Sequence, residues 1–522
     1  MRVAHESVLT RLIGAAPAAM LRAGCVALVV GVSACGGGGG GGGDDGDTAP
    51  QSSVPTAANP VPAPTSAPGT TQPPPAAAQL VVGTALSIDG GASGSPSSLR
   101  VARSANGDGF ALWLADDGTR HNLWANRYRA ATAAWGSPVN IEASSTDIDD
   151  FDLAVDANGN AVVAWHEGVP GGSSSVVMSA RFDAGAGAWA TPMLLNADAD
   201  QPRVASDATG AVLAVYVVGG HLVRGRFFDP VSGTWQPEAA IEQNNTGTGF
   251  SFGPAALLDG SGNALAGWSN GRTGAGIVAS NYFSRSTGGW VFQLPPDGID
   301  LLGGVPGSFT SFGTTGRVQL AASTGGDFLL AWQRTPFDDP ENGSEVLIAR
   351  FTSSTRTWSD AQTLVPSSSQ NVQLQRIGSD AGGNALVLWT ESDGMRTALK
   401  AIRLDHAGAA CSAVQVIDRA VGGGAARADL GVDPQGQAIA IWQQFEGGRP
   451  DDGSRSNIAI NRFDDATGTW ASAVFAETQP GNAISPRTSA SGGQALLGWI
   501  QSEGGANHVK ALLQGLADPP SQ

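Results

Sequence analysis

Eight times in roughly the last 420 residues, a glycine stands six positions before a large aromatic. The pairs are Gly107/Trp113, Gly159/Trp165, Gly210/Tyr216, Gly262/Trp268, Gly326/Trp332, Gly383/Trp389, Gly436/Trp442 and Gly493/Trp499. The aromatics return about every 50 to 65 residues. A period of that size belongs to solenoids, propellers and arrays, in which one supersecondary unit recurs and each copy buries its apolar face on the next. Few other arrangements can accommodate it.

The second unit shows what recurs. Asp152 to Trp165 reads DLAVDANGNAVVAW, a strand, a turn and a second strand. Asp156 opens the turn and Gly159 closes it, the chemistry of a type I turn. Asp stands three residues before the glycine at Asp156, Asp207, Asp259, Asp380 and Asp433, and Ser104 and Ser323 take that place in units one and five. The apolar run after each turn, such as Ala161 to Trp165, suits a strand covered on both faces. A second motif follows: Arg181-Phe182-Asp183 with Gly187-Ala188-Trp189, repeated at Phe228-Asp229 with Trp235 and at Arg462-Phe463-Asp464 with Trp470. In unit six the same count places Cys411 in the tryptophan slot, which predicts a buried, inert thiol. Thirteen of the 14 tryptophans fall in the two slots, and Trp124 is the exception. They therefore read as core anchors rather than a glycan-stacking array.

Four short strands per unit and eight units predict an all-β fold, an eight-bladed β-propeller over residues 80–515. A β-sandwich array is the alternative, but it has no reason to close. Unit eight stops near Leu513 without an outer strand, and Val82 to Asp89 (VGTALSID) matches Trp135 to Glu142 (WGSPVNIE) position by position. The N-terminal strand is thus expected to complete the last blade and close the ring.

The second motif resembles the ending of kelch repeats. The Asp–Gly–Trp turn resembles the Asp-box of sialidase-type propellers, although Asp183 and Gly187 are four apart where the box has two. These resemblances imply fold across all eight units and leave activity open. Sialidases use a tyrosine nucleophile and an arginine triad; the tyrosines here, Tyr128, Tyr216 and Tyr282, all occupy core slots.

The N-terminus reads as an address. Arg11 and Arg22 precede a short apolar run, Cys25 to Val32. It is too short to span a bilayer and has the form of a signal peptide, starting at Met1 or Met20. Val32-Ser33-Ala34-Cys35 resembles the lipobox of bacterial lipoproteins. That resemblance implies removal of residues 1–34 and acylation of Cys35, the acyl chains including palmitate. Gly36 after the cysteine implies the outer membrane of a Gram-negative cell, on its periplasmic side or surface. Gly36 to Gly43 and the Pro/Thr/Ser/Ala-rich stretch up to residue 79 have little apolar surface to bury, and residues 35–79 are expected to be a disordered tether. Residues 516–522 are expected to be a disordered tail.

The chain carries a formal net charge of −17, and loss of three arginines and one glutamate with the signal takes it to about −19. Such a surface argues against nucleic acid and anionic headgroups as partners. Of three cysteines, Cys25 leaves with the signal, Cys35 takes the lipid, and Cys411 is left without a disulfide partner. The expected state is a monomer.

Function is sought on the loops that do not repeat. The longest are Val291 to Gly316, Gln333 to Glu345 and Gln443 to Ser456, which places the working face over units four to seven. Counting seven residues back from each turn glycine gives the start of the innermost strands: Arg100, Asp152, Arg203, Ala255, Gln319, Arg376, Asp429 and Pro486. The candidate ligand-binding residues are Arg100, Asp152, Arg203, Arg376 and Asp429 at the channel mouth, with His166 and Glu167 as a pair suited to acid–base work. Paired charges lining a wet channel are the alternative reading of the ring, and a solvated loop pair that of His166-Glu167. Asp147, Asp149, Asp150 and Asp152 form an acidic loop with oxygen ligands for Ca²⁺, but lack the glycine and terminal glutamate of a calcium loop. No catalytic residue, metal site or cofactor is assigned.

The leading reading is a membrane-anchored cell-envelope lipoprotein whose propeller binds a protein or a glycan. A sialidase-like glycoside hydrolase or lyase is one alternative, and an outer-membrane assembly scaffold another. The scaffold reading follows the eight-bladed lipoprotein that assists barrel insertion. That protein resembles quinoprotein propellers, whose docking motif sets Trp four residues after Gly; here the spacing is six or two.

Overall fold

A computed structural model describes residues 80–90, 94–142, 144–168, 175–242, 250–272, 275–291, 318–334, 343–367, 371–419, 423–447 and 454–517. Cys35, the signal, the tether and most of the three long variable loops lie outside them. The strands form eight antiparallel sheets of four or five, and each first strand contacts that of the next blade until the eighth meets the first. This is the eight-bladed β-propeller that the repeat predicts. Blade 1 is typical: Ser95–Arg103, Gly109–Asp116, His121–Arg129, and an outer strand broken into Ala134–Trp135 and Val139–Asn140.

The first hairpin of each blade follows from its turn residues. Gly159 N–H donates to the Asp156 carbonyl (3.2 Å), and Asp156 N–H to the Asn160 carbonyl (2.9 Å). One Asp156 carboxylate oxygen accepts from Asn158 N–H and Asn160 N–H, both at 2.9 Å. Gly159 has φ +84°, so the loop is a type I turn closed by a left-handed residue. Packing adds a second demand: a Cβ on Gly210 (φ +88°) would lie 2.9 Å from Asp156 Oδ2 of the preceding blade.

The core lies between blades. Trp442 and Trp113 are fully buried, and each apolar cluster joins two neighbouring sheets. One joins blade 8 to blade 1 through Leu496, Ile500, Val509 and Ala511 against Leu99, Ala111 and Trp113, with Ile88 among them. Leu516 is fully buried beside Leu80.

The closing strand repeats the outer strands of other blades bond for bond. Leu86 and Ser87 pair with Ala511 and Lys510. Ile88 N–H donates to the Val509 carbonyl (2.9 Å), as Ile141 does to Leu123 (3.0 Å) and Ile241 to Val223 (3.2 Å). Asn126 Nδ2 in blade 1 then donates to the Ile88 carbonyl (2.7 Å), just as Asn281 binds Ile241 (2.8 Å) and Asn461 binds Ile417 (2.9 Å). Asp89 is buried and accepts from His508 (3.0 Å) and Val509 N–H (3.4 Å).

Two counts made from sequence are corrected. In blade 6 the turn from Asp405 to Gly408 is one residue shorter than that from Asp183 to Gly187. Ala410, bridged to Leu404, therefore takes the tryptophan slot, and Cys411 follows it, half-buried rather than in the core. In blade 8 Gly492 and Gly493 both have positive φ (61° and 72°), a two-residue hairpin loop in place of the longer turn.

Trp442→Ala is expected to cost about 3–5 kcal/mol through the cavity it leaves. Asp89→Ala should cost about 1–3 kcal/mol, because it strands buried donors at the closure. Urea denaturation of both variants checks these values.

Candidate functional site

The first strand of each blade has a ladder partner on one side only. Its other edge faces the axis, where unpaired N–H groups would be costly in a dry interior. Polar side chains from the preceding blade satisfy several of them. Asp152 accepts from Val204 N–H (3.1 Å), Asp429 from Thr488 N–H (3.0 Å) and Gln319 from Ile377 N–H (3.1 Å). One or two residues nearer the strand start, Gln201 accepts from Gly253 N–H (2.7 Å) and Gln375 from Ala428 N–H (3.0 Å). The acids of the ring thus clamp blade to blade.

Register places the ring deeper than expected. Arg100, Asp152, Arg203, Ala255, Gln319, Arg376 and Asp429 pair across the hairpin with the residue just before the core aromatic of the second strand. Ser95 opens the strand that carries Arg100, and Ala425 the one that carries Asp429, so the ring lies inside the channel rather than at its mouth. Among the described residues, a register shift interrupts the first strand just ahead of the ring in seven blades. The eighth ring position is Arg487, paired with Gly498, and not Pro486. The short glycine turn of blade 8 shifts the count by one.

The charges are unevenly matched. Arg203 donates to Asp150 (2.9 Å) and to the Pro202 carbonyl, yet its Nη2 is buried with no partner among the described residues. Arg376 Nε lies 2.9 Å from Asp429 Oδ1, and Arg100 Nε lies 3.7 Å from Asp152 Oδ1. Arg100 also sits over the Phe151 ring, 5.5 Å from its centre. Arg487 donates to the Pro486 carbonyl (2.7 Å) and meets no carboxylate at ion-pair distance among the described residues. Burial, then the charge of Arg100, push its pKa down to about 9.

The opposite sector is acidic. His166 and Glu167 are neighbours on a strand and point to opposite faces. His166 bonds to Asp149, whereas Glu167 is buried and accepts from Thr146 Oγ1 (2.5 Å). The two do not act on one substrate atom as an acid–base pair. Burial opposes protonation of His166, but the hydrogen bond and charge of Asp149, with Asp200 and Asp150, outweigh it and raise its pKa. Burial raises the Asp200 carboxyl as well. The four acids of the proposed calcium loop diverge: Asp147 to His121, Asp149 to His166, Asp150 to Arg203 and Asp152 to Arg100. Among the described residues, no three acidic, His or Cys side chains converge as metal ligands.

The tyrosines stay out of the channel. Tyr216 is fully buried between blades and donates to Glu238 (2.8 Å); burial and that carboxylate raise its pKa. Tyr282 is buried against Phe328 and Phe351, and Tyr128 packs on Trp135. Trp124 is half-buried in the cluster that joins blades 8 and 1.

No protein-family model and no curated protein matches the chain. Among solved structures, the chain is similar to the Dos1 propeller, with 9% identity over 83% of this chain and 95% of that one, at a TM-score of 0.47. An ulvan lyase from a new polysaccharide lyase family is similar at 10% identity, 83% and 96% coverage and a TM-score of 0.46. A prolyl endopeptidase is similar at 12% identity and a TM-score of 0.46; the chain covers only 56% of it, with 80% of this chain aligned. At such identities likeness concerns architecture alone.

His166 is expected to titrate above its ordinary 6.5. Its contribution to stability is therefore complete below that value and is lost as pH rises through the folded pKa. Asp149→Asn should bring the His166 pKa down, which NMR titration of the imidazole checks.

Proposed function

We propose that the protein is a cell-envelope lipoprotein, anchored in the outer membrane of a Gram-negative cell through Cys35, whose propeller is a binding module for a protein or glycan ligand. Residues 35–79 would hold the propeller off the membrane. The anchor rests on the Val32–Cys35 motif after a short apolar run. The binding reading rests on one observation: the channel wall carries arginines that the carboxylates among the described residues leave unmatched, in a chain with an acidic net charge. Buried polar groups are ordinarily satisfied, so such donors mark a place where a ligand can contribute.

A sialidase-like hydrolase would require a tyrosine nucleophile near these arginines, and Tyr216 and Tyr282 are held in the blade cores. Nothing in the ring favours an assembly scaffold over a binding module.

Cells fed radiolabelled palmitate should label the protein, and Cys35→Ser should abolish the label. The full chain, immobilised, should retain a defined envelope protein or glycan. Failure to retain any component from envelope extracts or glycan arrays would remove the binding reading.

A further inference from the structure

We infer that the channel wall formed by blades 6, 7, 8 and 1 is a binding site for a single anionic group, a carboxylate or sulfate carried by an acidic saccharide. The inference rests on the reading of the propeller as a binding module and names the chemistry its channel would take.

Arg376, Arg487 and Arg100 hold the same ring place in blades 6, 8 and 1, and Arg427 stands two residues before the ring place Asp429 of blade 7. The charges of the other three all act on Arg487, and that of Asp429 opposes them. The carboxylates within reach are already used. Asp152 faces Arg100 with one oxygen and holds Val204 N–H with the other; Asp429 faces Arg376 with one and holds Thr488 N–H with the other. Arg427 and Arg487 are left with no carboxylate at ion-pair distance among the described residues. Like charges crowded into a recess repel, and nothing in the blade scaffold requires them: the equivalent ring place in blade 4 is Ala255.

Arg427 also has an unusual backbone. Its φ of +52° lies in the left-handed region, which residues other than glycine adopt uncommonly. Blade 4 meets the same backbone demand with Gly253 (φ +58°), while Gln201 of blade 3 and Ser485 of blade 8 adopt it at 51° and 55°. Glycine would therefore serve the fold at this position, whereas arginine adds an exposed guanidinium to the channel wall.

The site's depth sets what can reach it. Ala483 opens the strand that carries Arg487, so the ring arginine lies several residues inside the channel. A folded protein surface is too broad to follow, but one charged substituent on a sugar is not. Guanidinium forks bind carboxylate and sulfate oxygens through paired, charge-assisted hydrogen bonds. Such an anion would offset the repulsion that burial and Arg100 impose on Arg487.

Calorimetric titration of the full-chain protein at low ionic strength tests this, with galacturonate, inorganic sulfate and glucose as probes. Galacturonate and sulfate should bind, glucose should not, and affinity should fall as salt rises. Arg487→Gln and Arg427→Gly should each weaken anion binding about tenfold, the loss of one charged donor group. Arg129→Gln, an exposed charge on the outer rim at the opposite face, should leave it unchanged. Arg427→Gly should keep or raise the melting temperature, which separates lost binding from lost folding. Absence of heat with both anions, or unchanged wild-type affinity in both Arg487→Gln and Arg427→Gly, overturns the site. Sulfate binding without galacturonate overturns the saccharide and leaves a free-anion site. If the anions titrate as expected but the envelope capture fails, the binding-module reading falls and the site stands.

Discussion

The ring depends on what happens at an edge. Every blade presents the bare side of its first strand to the axis, and a strand edge is ordinarily a liability. Here side chains of one blade reach forward to the backbone of the next: Asp152 to Val204, Gln201 to Gly253, Gln319 to Ile377, Gln375 to Ala428 and Asp429 to Thr488. Apolar packing between sheets supplies most of the attraction, but it is non-directional. The lacing fixes how far one blade may slide along its neighbour. It also decides which polar groups in the channel remain free for anything else.

That division gives the channel two sectors of different character. Around blades 2 and 3, His166 sits among Asp149, Asp150 and Asp200, and Asp150 holds Arg203. Around blades 6, 7, 8 and 1, arginines outnumber the acids that face them among the described residues. The separation follows from position: an acid at the ring can clamp the next blade's N–H, and an arginine cannot, since it has no acceptor. Arginines at those positions are free of the structural duty that occupies Asp152 and Asp429.

The architecture was legible because its signals are local. Asp156 and Gly159 make their turn from their own chemistry, and Trp442 marks a core slot by period alone. The closing strand was legible because Val82 to Asp89 repeats the pattern of a complete outer strand. The site was less so, because register is set by turn length and not by residue type. One residue fewer between Asp405 and Gly408 moved Cys411 out of the slot assigned to it. The Gly492-Gly493 turn hid Arg487 behind Pro486, and the strand alternation that parts His166 from Glu167 was available in the sequence but outweighed by their adjacency. The left-handed φ at Arg427 has no sequence signature beyond the glycine at its counterpart, Gly253.

The joining of Ser87 to Lys510 has a consequence for how the molecule is made. The strand that seals the ring is synthesised before the eight blades, and its partner after every other strand of them. Until Ala506–Gly515 emerges, Leu86 and Ser87 have no ladder partner and blade 8 is incomplete beside blade 1. Long-range pairing of this kind is slow to form and exposes sticky edges while it waits. Truncation near the C-terminus would therefore do more than remove one blade's worth of packing: it would leave an arc with two unsealed ends, prone to joining other arcs instead of itself.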